Sequence, residues 1–482
     1  MGNDVYQIER VLQADVCSGC GGCGAATQGA ITIPLSAVGM YTPQLDGVSD
    51  SDLEKADQVC PFSNATVNES EIGQQRHTSS QHSDSRIGRY HSLWAGRIES
   101  EKDIIGSSSG GLTTWIAKRL LSEGKVDGVI HVGPSDVTRN GRLIEYRVSR
   151  TVESLIESRK SNYYPTSFSE VLNDLSLDSG ERYAFVGLPC QCTSIRHLQK
   201  LDDRWNEAIP YVLGIVCGHL KSARYAESLA WQLDIEPSDL SSIDFRVKDP
   251  SRSARGYGLR VEGIDGRSAE SEANKLVGGN WGHASFQPNA CNYCDDIFAE
   301  SADVCLGDAW LPKYESNWRG TNVVIIRHPE IADLLSRGRD AGEVWIEELS
   351  ADEVASTQDG NFRHRRVGLS VRAADDAKES SWRPIKRVDA KLDGIPENRI
   401  RVTRARRRLG DASHKLFADA RSRGNLEVYT SGIRPLVVEY EQAARQSFLE
   451  RMRPKVERRL WKYWNAAVTT GSRIIPSRRS RR

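Results

Sequence analysis

Nowhere in this 482-residue chain does an apolar run approach the ~20 residues that a bilayer-spanning helix needs. The amino terminus, Met1-Gly2-Asn3-Asp4-Val5-Tyr6, has no apolar export core and lacks the Ser or Thr of a myristoylation site. Excess charge is absent too. Lys plus Arg and Asp plus Glu each total 65, so no overall field recruits nucleic acid or an acidic substrate. Neither the Gly-x-Gly-x-x-Gly fingerprint nor a Walker loop occurs where a nucleotide loop is otherwise expected. What remains is a chain expected to be cytoplasmic, long enough for two or three domains. Its 38% hydrophobic and 27% charged residues suit a globular protein.

Cysteine is what the chain does have. Ten cysteines without an export signal do not make a disulfide framework, and their clustering points to metal ligation or redox work. Cys17-Ser18-Gly19-Cys20-Gly21-Gly22-Cys23 resembles the first three ligands of a bacterial-type ferredoxin. Its glycines let the backbone wrap a cluster closely. Thr27 stands at the fourth ferredoxin position, and Cys60, followed by Pro61, is the candidate to replace it. Short strands are expected at 30–34 and 41–43. Cys17, Cys20, Cys23 and Cys60 are thus expected to hold one [4Fe–4S] cluster. Structural zinc, which also takes four thiolates, is the alternative.

Gly187-Leu188-Pro189-Cys190-Gln191-Cys192 follows the apolar run Tyr183-Ala184-Phe185-Val186, which reads as a buried strand. Residues 193–200 read as a helix, and Tyr211 to Val216 as a second strand ending at Cys217. Strand, helix and strand suggest a right-handed parallel crossover. Neighbouring strand ends lie ~4.8 Å apart, which would bring Cys190 and Cys217 together on the rim where α/β sheets bind ligands. Cys291-Asn292-Tyr293-Cys294 supplies two more thiolates. Cys192 competes with Cys190 for the ligand role. Cys305, inside a strand-like run, competes less well, because a small buried side chain is the ordinary reading there.

Residues 68–86 are rich in Ser, Gln, Glu and His and read as a polar linker, with His77 and His82 as solvated histidines. A new domain is expected from Ile87. Gly106-Ser107-Ser108-Ser109-Gly110-Gly111 opens a helix with Leu112, Trp115, Ile116 and Leu120 inward. A Ser/Gly loop at a helix N-terminus is a candidate anion cradle, suited to a cofactor diphosphate; a simple capped helix start is the plainer reading. Further strands are expected around 126–132, 244–248, 255–261, 302–310 and 321–327, and an amphipathic helix on Phe168, Val171, Leu172 and Leu175.

In this order the pieces resemble the β-subunit family of the deazaflavin-coenzyme-dependent hydrogenases and dehydrogenases. This iron–sulfur flavoprotein family also includes chlorophyll-related and divinyl reductases. The matching pieces are Ser109-Gly110-Gly111-Leu112-Thr113, Gly124 to Val129, and Gly187-Leu188-Pro189-Cys190-Gln191. They continue with Val216 to Ser222, Phe245-Arg246-Val247-Lys248, Cys291-Asn292-Tyr293-Cys294 and Ala302 to Asp308. The resemblance covers roughly residues 15–330 and implies an α/β (mixed α+β) fold, with a ferredoxin-like module over 1–67 and a catalytic domain over 87–345; residues 346–482 read, from their own composition, as a helical basic extension. It implies bound FAD, met by Ser107, Ser108, Ser109, Gly110, Gly111 and Thr113, with Asn162 and Tyr163 nearby. It also implies a second [4Fe–4S] cluster on Cys190, Cys217, Cys291 and Cys294. A ferredoxin or the deazaflavin coenzyme is the implied electron partner, alongside a partner subunit. Two departures bear on donor and substrate: Lys160-Ser161-Asn162-Tyr163 stands where the family often has Gly-Ser-Lys-Tyr, and Cys217-Gly218-His219 where it has Cys-His-Gly.

Beyond Ile346 the resemblance fades. From Arg451 to Arg482 eleven Arg and Lys face one acidic residue, Glu457. Val456, Leu460, Tyr463, Trp464, Ala467 and Val468 form an apolar stripe at helical spacing. This is either a docked terminal helix with a solvated basic tail, or a peripheral contact with anionic membrane lipid or an acidic partner. The expected function is an oxidoreductase passing electrons between clusters and FAD. The alternative is a non-enzymatic partner or electron-transfer subunit whose metal sites brace the fold, active only in a complex.

Overall fold

The structure, a computed structural model, describes residues 6–445; the apolar stripe at 456–468 lies outside them. Two short strands, β1 (His82–Asp84) and β2 (Gly88–Tyr90), pair as a hairpin. The main sheet then takes β3 (Ser92–Ile98), β4 (Gly128–Pro134), β5 (Ile144–Ser149), β6 (Tyr183–Gly187) and β7 (Tyr211–Ile215). An antiparallel sheet of β8 (Leu240–Val247), β9 (Gly258–Gly263) and β10 (Ser268–Ser271) follows, and β11 (Val304–Asp308), β12 (Asn322–Ile326) and β13 (Val344–Glu348) return to the main sheet. Its spatial order is β13-β3-β12-β11-β7-β6-β4-β5. The central four strands, β11, β7, β6 and β4, are mutually parallel, and the flanking pairs are antiparallel.

The alternation of side chains explains why this sheet is central. Phe185, Val212, Cys305, Val323 and Ile325 face one core, while Ala184, Leu213, Leu306, Val324 and Ile326 face a second on the other side. Strands buried on both faces read as continuous apolar runs, which is why they are visible in the sequence. The helix Leu112–Ser122 covers the second face with Leu112, Trp115, Ile116 and Leu120. A third core joins the small sheet to the helices Ala223–Trp231 and Glu397–Arg423.

The expected strands and the crossover are present: β6 and β7 are parallel neighbours, with Gly187 opposite Gly214. Other expectations need correction. The helix between those strands begins at Pro189, not Thr193, so Cys190 and Cys192 lie in its first turn. Proline at the first helical position leaves no orphan N–H there. The amphipathic stretch after Phe168 makes only the short helix Ser169–Asn173. The strands expected at 30–34 and 41–43 amount to two isolated bridges, Thr32 to Gln44 and Leu35 to Tyr41.

The polar linker is folded. Residues Glu69–Arg76 are helical, capped by Asn68, and Glu69, Ile72 and Gly73 are buried. His77 is 3% exposed, and burial pushes its imidazole down to about 3. Only His82 matches the solvated expectation, stacking on Tyr90. Nor is the cysteine-rich N-terminus a separate body. Ile8, Val11, Val59 and Phe62 share one core with Phe168, Phe185, Ile195 and Val212.

Candidate iron–sulfur site

The loop carrying Cys17, Cys20 and Cys23 runs into the helix Gly22–Ala26, and Cys60 caps the helix Asp50–Val59. Gly19 and Gly21 take positive φ, +68° and +106°, conformations that side-chain-bearing residues rarely adopt. A Cβ at Gly19 would fall 2.7 Å from the Tyr41 carbonyl oxygen, and one at Gly22 would strike Ser194. The glycines therefore let this loop press against the helix Pro189–Leu201. Cys17, Cys23 and Cys60 are raised by burial and by charge on their neighbours. Burial and the charges of Cys17, Cys20 and Cys60 push Cys23 far up, and burial, then Cys20, pushes Cys17 up to about 12.

The second group assembles from three places. Cys190 lies in the first turn of the helix after β6, Cys217 follows β7, Cys291 lies in the 3₁₀ turn Asn289–Tyr293, and Cys294 caps it. Burial raises the Cys190 thiol first, followed by Cys294, Cys20, Cys217 and Cys291. Cys20 belongs to the first group, and it and Cys190 pack against the same core, near enough for charge on one to act on the other. Tyr146, buried beside both, donates to Gln191 Oε1 at 2.9 Å, and its phenol is raised by burial, Cys192, Cys190 and Cys20. All ten cysteines are free. Among the described residues no three ligand-type side chains converge on a single-ion position.

Cys192 points elsewhere. It is fully buried and its Sγ donates to the Gly187 carbonyl at 3.4 Å. Burial raises its thiol and Arg196 opposes the rise. Cys305 is equally buried, within β11.

Cations surround the second quartet. Arg365 donates to the carbonyls of Cys217 (2.6 Å), Gly218 (3.1 Å) and Cys294 (3.1 Å), and to Cys294 Sγ. The Leu220 N–H donates to Cys291 Sγ at 3.2 Å. Arg406, from the helix Glu397–Arg423, reaches His219 Nδ1 at 3.2 Å. Lys221 is 1% exposed, donates to the Ser285 carbonyl at 2.6 Å and lies over Tyr225 and Trp281. Burial, Arg406 and Arg407 push Arg372 down to about 9, and burial, with Arg406 next, depresses Lys221. Lys386 donates to the Pro61 carbonyl at 3.3 Å, while Arg387 pairs with Asp295 at 2.9 Å and Glu300 at 2.7 Å. The C-terminal segment thus straps both quartets, with Glu69 3.8 Å from Arg387. Sequence reasoning missed Arg365, Lys386, Arg387 and Glu69, because nothing local distinguishes them from solvated charges.

The Ser/Gly loop lies at the carboxyl side of the same sheet, and each of its serines has a protein partner. Ser107 donates to the Asp103 carbonyl at 2.9 Å, Ser108 accepts from Ser161 N–H at 2.8 Å, and Ser109 donates to the Thr321 carbonyl at 3.4 Å. Leu112 N–H donates to Asn322 Oδ1 at 3.1 Å. Gly110 packs on Gly96 and Asn322, which a Cβ would strike at 2.6 and 2.7 Å. Lys248 ties the loop down, donating to the carbonyls of Ile104 (2.8 Å), Ser109 (2.7 Å) and Arg319 (2.5 Å). Burial and Arg246 push Lys248 down to about 7; three acceptors nevertheless require the three N–H bonds that only the ammonium has. Arg246 pairs with Asp308 at 2.9 Å and donates to the Tyr163 hydroxyl at 3.3 Å. Asn162 donates to the Lys160 carbonyl at 3.3 Å, and Thr113 lies half-buried in the first turn of the helix. The cavity beside Ser108, Lys248 and Trp310 is about 10 Å³, the size of one water; it is not a flavin pocket. Arg159 lies over Gly106 on the outer side of the loop and pairs with Asp103 at 3.1 Å.

A mixed sheet with parallel central strands and cysteines near their carboxyl ends defines an α/β protein with a thiol-rich rim. Residues 93–173 match the amino-terminal part, and residues 180–352 the carboxyl-terminal part, of the family described as "Coenzyme F420 hydrogenase/dehydrogenase, beta subunit". The chain belongs to this oxidoreductase family. It is similar to a subunit of the F(420)H(2) dehydrogenase of Methanosarcina mazei, 21% identical over 373 residues, covering 74% of this chain and 94% of that one. It is also similar to the coenzyme F420-dependent sulfite reductase of Methanocaldococcus jannaschii, 26% identical over 241 residues. That match spans 47% of this chain and 34% of the reductase. A chain of the F420-reducing [NiFe] hydrogenase complex of Methanosarcina barkeri aligns with a TM-score of 0.47 and 15% identity, over 64% of this chain and 99% of that chain.

Proposed function

We propose that the chain is an iron–sulfur electron-transfer subunit that exchanges electrons with the deazaflavin coenzyme F420. Cys17, Cys20, Cys23 and Cys60 would hold one [4Fe–4S] cluster, and Cys190, Cys217, Cys291 and Cys294 a second. FAD would lie along the outer face of Ser107–Gly111, near Thr113, Asn162 and Tyr163. The observation that carries the proposal is the packing of cysteines from both sets, Cys17, Cys20, Cys23 and Cys60 with Cys190 and Cys294, against one core, an arrangement suited to passing electrons between two bound groups.

The donor chemistry fits. Thiols raised by burial and by one another are poor free nucleophiles, and a metal replaces the proton as their counter-charge. The repelling cations Arg365, Arg372, Arg406 and Lys221 suit a group of net negative charge. N–H groups at Cys17 (from Gly19, 3.3 Å) and Cys291 supply the sulfur hydrogen bonds that tune such clusters. Clusters pass single electrons, deazaflavin exchanges a hydride, and a flavin does both. Because the Methanosarcina mazei relative is named as one subunit of a dehydrogenase, a partner subunit completes the proposal, with a ferredoxin as the other electron partner to test.

Anaerobically purified protein should carry about eight irons, two [4Fe–4S] clusters, together with flavin, and should bleach on addition of reduced F420. A colourless protein with stoichiometric zinc would establish the bracing, non-enzymatic alternative instead.

A further inference from the structure

Arg365 lies beyond residue 352, where the family match ends. Its surroundings are more specific than packing requires. One guanidinium reaches the Cys217 carbonyl (2.6 Å), the Gly218 carbonyl (3.1 Å) and the Cys294 carbonyl (3.1 Å), and it donates to Cys294 Sγ. It therefore joins the loop after β7 to the turn that carries the Cys-x-x-Cys pair. Those two segments are 77 residues apart, counted from Cys217 to Cys294, and besides Arg365 they share the Cys217 N–H bond to the Ile297 carbonyl at 3.2 Å and the Leu220 N–H bond to Cys291 Sγ. Arg365 itself is 3% exposed, so the charge is spent inside the protein.

The backbone beneath it is a second, independent sign. Arg363–Val367 is a π-helical turn between the helices Asp359–Phe362 and Gly368–Lys378. Such turns are rare inside α-helices and are frequent at functional sites. Here the wider turn interrupts the α-helical phase at Arg365, between two ordinary helices.

We infer that Arg365 is a positioning residue that holds Cys217 and Cys294 in place and raises the reduction potential of the group they ligate. The inference rests on the proposed second cluster. A cation donating to a ligand sulfur stabilises the more negative, reduced form, so hydrogen bonds of this kind move cluster potentials upward. The first quartet has no such contact with Arg365, and its potential serves as the internal reference.

The test is a redox titration of full-length, anaerobically purified wild type, Arg365→Lys and Arg365→Gln, following each cluster by its paramagnetic resonance signal. Arg365→Gln removes the charge; Arg365→Lys keeps it without the fork that reaches several acceptors. In Arg365→Gln one cluster should shift its reduced-to-oxidised ratio at fixed potential at least tenfold toward oxidised, about 59 mV for a one-electron couple. The shift in Arg365→Lys should be smaller, and the other cluster should not move. Selective loss of one cluster's iron from both variants supports the same role through its positioning half. Two clusters at wild-type potentials in both variants would overturn the inference. So would parallel loss of both clusters, which marks Arg365 as a general folding residue. A wild type lacking two clusters overturns the functional proposal itself, a result visible before any variant is titrated.

Discussion

Cys190 and Cys192 stand two residues apart on one helical turn, and the fold gives them opposite surroundings. Cys190 is raised by burial and then by the cysteines of both groups. Cys192 bonds to the Gly187 carbonyl inside the core. Replacing Cys190 with Ser should therefore remove about half the iron, whereas Cys192→Ser should keep it and cost about 1 kcal/mol of stability, an ordinary buried substitution. Iron per chain after anaerobic purification decides between them, and the reverse pattern would move the ligand role to Cys192. Sequence spacing alone left this choice open, because both cysteines follow the same strand end. What separates them is the direction each side chain leaves the helix.

At the scale of elements, the start of the helix Leu112–Ser122 was legible and its bracing was not. The Ser/Gly composition marks a helix N-terminus, but the side chains that hold it come from Lys248, Asn322 and Ser161, far away in the chain. Lys248→Met would leave three carbonyls without their donor. Because Lys248 is half-buried, water can replace part of the loss, and about 1–3 kcal/mol should go from global stability. Flavin content should fall with it while iron stays. Thermal melting and flavin absorbance measure the two effects; unchanged flavin would detach the loop from the cofactor. The segment 68–86 was misread for a related reason. Its polarity is that of a linker, yet Glu69 is buried beside Arg387, and a buried charge is tolerated because its partner is supplied by the C-terminal strap.

On the scale of the whole molecule, the N-terminal cysteine region and the sheet share one core. Residues 1–67 expressed alone should therefore fail to fold or retain iron, since Ile8, Val11, Val59 and Phe62 would lose the partners that bury them. Circular dichroism and iron analysis of the fragment test this, and a helical, iron-loaded fragment would restore the picture of a free-standing ferredoxin-like module. No helix among the described residues is long and apolar enough to cross a membrane. By itself the sequence determined the apolar central strands of the sheet and the parallel crossover between β6 and β7, while the edge strands β5 and β13 went unread. The features it determined are local: apolar runs, a turn residue, a repeat of spacing. Only the tertiary structure decided that cysteines of both sets pack on one core, that Cys192 bonds to the Gly187 carbonyl, that Arg365 donates to Cys294 Sγ, and that Lys386 and Arg387 reach Pro61 and Asp295 beside the cysteines. All but the Cys192 bond depend on residues tens to hundreds of positions apart. A charge that is solvated in one fold and buried against a thiol in another looks the same in the chain, because burial is a property of what packs around it.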